Sequence, residues 1–79
     1  MRPEDLNYWL RAKPFRPFRI TLNSGRSLEV RHPEVVVVLR TSLVYCTPSM
    51  EGDYFERAEM FGLVLIEHLE PIDPPRLDA

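Results

Sequence analysis

The sequence predicts a mainly β fold, a short N-terminal helix followed by a small, strongly bent barrel of five strands. Three observations lead there. Apolar residues at helical spacing are confined to the start, where Leu6, Trp9 and Leu10 make one stripe. From Pro17 onward the apolar period falls to two, with Phe18, Ile20 and Leu22 alternating with Arg19 and Thr21. Four consecutive valines, Val35 to Val38, favour strand over helix, because β-branched side chains lose freedom in a helix and pack well on a pleated surface.

Each element has its own signals. Residues 3–12 read as the helix: Pro3 suits a first turn, Glu4 and Asp5 complement its positive end, Arg11 and Lys13 complement the other, and Pro14 stops it. Asn23, Ser24 and Gly25 interrupt the first alternation and Leu28 and Val30 resume it, which is a hairpin, with Gly25 able to take the positive φ its loop requires. Pro33 cannot donate to a ladder and belongs at a strand break or bulge. The run from Val35 to Leu39 is apolar on both faces and predicts burial on both, inside a barrel or beneath the helix or a second subunit. Arg40 to Ser42 turn the chain into a strand from Leu43 to Thr47, and Pro48 to Asp53 form a loop. Tyr54 to Met60 and Leu63 to Leu69 read as the last strands, separated by a break at Phe61 and Gly62 and closed by Pro71. The barrel therefore spans about 17–71, and 73–79 reads as a frayed tail.

At 79 residues, with 44% hydrophobic and 28% charged residues, the chain has the size and composition of a single folded domain spanning 1–79. No apolar run approaches the roughly 18 residues of a membrane span, and the single cysteine, Cys46, excludes an internal disulfide, so the expected location is cytoplasmic. A domain this small gains little net stability from its own core, which predicts further burial against a copy of itself, a ring or dimer formed through strand edges. Residues 1–40 hold eight cationic against four acidic side chains, a balance of +4, and residues 41–79 hold two against eight, a balance of −6. Such asymmetry either makes a basic face for an anionic partner or is neutralised across strands; the sequence pI of about 5.6 favours the second.

His32, His68 and Cys46 stand too far apart in sequence for a zinc motif, and no metal or other cofactor is expected. Of Glu67, His68 and Glu70, only His68 and Glu70 share a strand face, and a solvated strand end explains them better than acid/base catalysis. Phosphate-cradling and nucleophile-elbow motifs are absent, so the chain is not read as an enzyme. The segment Lys13-Pro14-Phe15-Arg16-Pro17-Phe18-Arg19 interleaves cations and aromatics as single-stranded nucleic-acid binders do. It makes Arg11, Lys13, Arg16 and Arg19 the candidate RNA-binding residues. The competing reading has Phe15 and Phe18 anchor the helix to the first strand, and Tyr8, Trp9, Tyr54 and Phe61 serve as core or interface.

The order of a helix, a strand ending in Leu22-Asn23-Ser24-Gly25, a long bent second strand and a last strand closing at Pro71 resembles the Sm-like fold of the bacterial RNA chaperones (Hfq-like), within the wider group of SH3-like barrels. The phrase Pro14-Phe15-Arg16-Pro17-Phe18-Arg19-Ile20, with Gly25-Arg26 and Val30-Arg31-His32-Pro33-Glu34, also resembles a group of small bacterial proteins without an assigned activity. The Sm-like resemblance implies rings built by pairing the fourth strand of one subunit with the fifth of the next, here Tyr54–Met60 with Leu65–Glu70. It implies RNA on ring faces or rim, where Arg11, Lys13 and Arg16 match loosely. The aromatic-Lys-His triplet of those chaperones is Phe61-Gly62-Leu63 here, so only its aromatic remains. The expected function is a non-enzymatic binding or assembly module, with weak binding of single-stranded RNA or, alternatively, a protein-interaction role without nucleic acid.

Overall fold

Six strands follow one helix in the computed structural model, which describes residues 1–72. The expected tail at 73–79 lies outside the described residues. Helix α1 spans Pro3–Leu10, with Pro3 in its first turn, Glu4 and Asp5 at its positive end and no side-chain cap at Arg2. It ends two residues before the expected 12. The Arg11 N–H closes the last turn onto the Asn7 carbonyl at 2.9 Å, and the approach to Pro14 disfavours further helical backbone.

The strands are β1 (Phe18–Leu22), β2 (Ser27–Val30), β3 (Val36–Val38), β4 (Ser42–Pro48), β5 (Phe55–Gly62) and β6 (Ile66–Pro71). They form two antiparallel three-stranded sheets, in the orders β2-β1-β6 and β3-β4-β5. Two corrections to the expected five-stranded closed barrel follow. The long bent second strand is two strands, because Pro33–Val35 forms a 3-10 turn between β2 and β3 where the proline interrupts the ladder. The barrel does not close into one sheet, because β5 leads into a second 3-10 turn at Leu63–Leu65 and β6 then pairs with β1 rather than with β5. The break expected at Phe61 and Gly62 accordingly falls two residues later. Apart from these turns, no helix lies between Val35 and Leu69.

The core lies between the sheets. Phe18, Ile20, Leu22, Leu28, Val30 and Ile66 enter it from the first sheet, Val36 and Leu43 from the second, Val35 and Leu63 from the 3-10 turns and Leu6 from the helix, all buried. Each such side chain contributes about 1.5–3 kcal/mol relative to exposure. Phe18 sits at the joint: its ring is 5.2 Å from Trp9 and 6.1 Å from Phe15, so the helix and the segment after it are fastened to β1 by aromatic packing. The anchoring reading of Phe15 and Phe18 describes this segment. Val37 and Leu39, by contrast, are exposed, which overturns the expected burial of that run on both faces. β3 is a three-residue edge strand covered on one side only.

The β1–β2 hairpin forms as the sequence indicates. Gly25 N–H donates to the Leu22 carbonyl at 2.9 Å, Leu22 N–H to the Arg26 carbonyl at 2.8 Å, and Gly25 has φ +95°. A Cβ at Gly25 would meet nothing within 4 Å, so any penalty for adding one is backbone strain alone. Gly25→Val is expected to lower unfolding free energy in urea by about 1–2 kcal/mol or slightly more, and Gly25→Asn by clearly less, since Asn tolerates positive φ. Equal losses for the two would mean that strain at this position is not the cause.

Three side-chain contacts tie the sheets together. The Tyr45 hydroxyl on β4 donates to the Glu29 carbonyl on β2 at 2.7 Å. Arg26 donates to both carboxylate oxygens of Glu59 on β5, at 2.7 and 3.1 Å, and lies 5.3 Å over the Phe61 ring. That bidentate hydrogen bond holds the Glu59 carboxyl below the usual carboxylate value.

Candidate functional site

The four candidate RNA-binding residues separate into two environments. Arg11 and Lys13 are exposed and share an open groove of about 630 Å³ along α1 with Glu4, Asn7, Tyr8 and Ala12. Arg16 is exposed on the segment between helix and β1, outside that groove. Among the described residues, none of these three cations takes part in an ion pair.

Arg19 is committed elsewhere. Register places it opposite Glu29 on β2 and Glu70 on β6, and its guanidinium bridges both, at 3.5 and 2.9 Å. Arg31 joins Glu29 at 3.1 Å and His68 joins Glu70 at 3.0 Å, completing a polar ladder across the outer face of the first sheet. The His68 hydrogen bond holds the Glu70 carboxyl below its usual value, with Arg19 acting in the same direction against partial desolvation. His68 and Glu70 thus share a face as the alternation requires. With Arg26–Glu59, the Arg19–Glu70 pair also joins the basic first half of the chain to the acidic second half.

The aromatics meant to accompany these cations are differently placed. Phe18 is fully buried and Phe15 packs against the core, so neither offers a face to a base. Tyr8, expected as core or interface, is not in the core: it is 78% exposed and stands beside Arg11 and Lys13. Its position was readable: Glu4, Asn7, Tyr8 and Arg11 recur at i, i+3, i+4 and i+7, the helical stripe opposite Leu6, Trp9 and Leu10. Tyr54 is exposed too, immediately before β5.

A second feature is the free edge of the second sheet. Among the described residues β5, eight residues long, borders only β4, and it carries exposed residues from Phe55 to Ala58 and at Met60. Leu39 N–H donates to the Ser42 carbonyl and Leu63 N–H to the Thr41 carbonyl, which sets the alternation of the antiparallel ladder. Tyr45–Glu59 and Thr47–Arg57 are then the hydrogen-bonded pairs, and Ala58 and Met60 turn their backbone N–H and C=O toward the open edge. At the far side of the first sheet, β6 is an edge strand with no further neighbour among the described residues.

The described residues contain no group of three or more His, Cys, Asp or Glu side chains placed to hold a metal ion, and no helix among them is long and apolar enough to cross a membrane. No protein-family model, curated protein or solved structure matches the chain.

Proposed function

We propose that this protein is a non-enzymatic binding and assembly module that associates with copies of itself through its strand edges, in the manner of Sm-like rings. The observation that carries this reading is the edge of β5, where Ala58 and Met60 hold backbone hydrogen-bonding groups toward solvent along a strand exposed over most of its length. Open, partly apolar edges pair with further strands unless they are blocked. The partner edge under this reading is β6, as the resemblance implies for Tyr54–Met60 and Leu65–Glu70. Proline at position 58 removes an outward N–H and leaves the internal ladder intact, whereas proline at 57 removes a ladder donor. In sedimentation velocity at micromolar concentrations the parent protein is expected to associate, and Ala58→Pro, still folded, to sediment as a smaller species. Arg57→Pro is expected to lose stability instead. A monomeric parent, or undiminished association in Ala58→Pro, refutes the edge as the assembly element.

The exposed Tyr8 favours a second reading, weak binding of single-stranded RNA at the helix groove. A ring face available for stacking beside the cations Arg11 and Lys13 is the combination such binding uses. Fluorescence anisotropy with a labelled oligouridylate is expected to show binding at low salt that weakens steeply as salt rises, through counterion release. Arg11→Ala/Lys13→Ala is expected to weaken it several-fold and Arg19→Ala much less, because Arg19 already serves Glu29 and Glu70. Absence of binding at low salt removes RNA from the reading and leaves protein–protein assembly alone.

A further inference from the structure

The outer face of the second sheet is chemically unlike the rest of the surface. Register places Val37, Val44 and Met60 side by side across β3, β4 and β5, and Cys46 beside Ala58 in the next row. On the other side of this row Leu39 stands across the β3–β4 turn from Ser42, which pairs with Gly62. A Cβ at Gly62 would lie 3.7 Å from Val64, so Val64 extends the patch beyond the end of β5. These rows carry no charged side chain, in a chain that is 28% charged. Several members are open to solvent: Val37 is 49%, Met60 65% and Val64 81% exposed.

An antiparallel sheet with one face on the core normally turns a polar face to water, as the first sheet does with Arg19, Glu29 and Glu70. A contiguous apolar patch rimmed by polar groups marks an interaction surface. We propose that this face packs against the same face of a second copy, related by a two-fold axis. Charge decides the occupant. A charged partner would have to desolvate its ionic groups against rows that offer them no counter-charge, whereas the same rows of a second copy meet without that cost. An isologous contact requires only one self-complementary patch, and two sheet faces pack at about 10 Å with interdigitating side chains. The contact is distinct from the β5 edge, because the side chains of Val37 and Val44 leave the sheet by its face.

Val37 separates the two interfaces, since it lies on β3, with β4 between it and the β5 edge. Its side chain is half-exposed, so Val37→Lys leaves the fold nearly unchanged. Met60→Lys serves as the second variant, and thermal melting by circular dichroism checks that both remain folded. Sedimentation equilibrium of the full chain is expected to show self-association that either substitution weakens about tenfold or more, as desolvating one lysine ammonium implies. Association lost in Val37→Lys and undiminished in Ala58→Pro supports the face contact while refuting the edge; association reduced but not abolished by each substitution supports the two together. Undiminished association in both lysine variants overturns the face contact and leaves the edge standing. A parent protein monomeric to millimolar concentration overturns it, as does a patch that binds neutral phosphatidylcholine vesicles in place of a second copy.

Discussion

Phe18→Ala is expected to destabilise the protein by about 3–5 kcal/mol, the range for removing a fully buried aromatic ring. The ring is wholly inaccessible, sits opposite Val30 and Pro71 in the first sheet, and is the contact through which Trp9 and Phe15 meet that sheet. Collapse of neighbours into the cavity is restricted, because these partners come from a helix, a connecting segment and two strands with separate backbone constraints. At about 0.05–0.15 kcal/mol per residue, a domain of this length has little stability beyond that loss. The melting temperature should fall by about 12 °C or more. A urea midpoint that implies a loss below about 1 kcal/mol would place the joint of the fold elsewhere.

Leu6→Ala is the second large effect, expected at about 2–5 kcal/mol. Leu6 is the one helical residue fully removed from water, on an eight-residue helix without a side-chain cap. A helix that short is marginal in isolation and persists through what it packs against. The substitution should therefore release α1 before the sheets melt. Trp9, the single tryptophan, reports this directly: its emission should shift to longer wavelength at temperatures where the β signal in circular dichroism is still native. Coincident loss of both signals would mean that the helix and the sheets form one cooperative unit.

The parts of the fold legible in the sequence are those governed by local chemistry. Pro3, Glu4 and Asp5 mark the start of α1, and alternation from Phe18 together with Gly25 marks a hairpin whose loop glycine has the positive φ it was read to need. Pro33 marked an interruption, yet a proline alone does not distinguish a bulge inside one strand from a turn that separates two. That distinction divides a bent five-stranded barrel from two three-stranded sheets, and long-range pairing of β6 with β1 resolves it. The valine run shows the same limit: composition identifies a strand, but exposure of Val37 depends on its lying at a sheet edge. At the candidate site, the sequence left open whether Arg11, Lys13 and Arg16 are exposed, and the pairing of Arg19 with Glu70 was not legible, because Glu70 is 51 residues away in sequence.

The central claim is that β5 keeps an open edge which a neighbouring subunit occupies. Amide hydrogen exchange resolved by residue, measured across a range of protein concentrations, tests it most directly. Glu59 N–H, inside the β4–β5 ladder, should be protected throughout, while Ala58 and Met60 N–H should exchange quickly in dilute solution and slow markedly as concentration rises. Protection at Ala58 and Met60 that does not change with concentration would contradict the account.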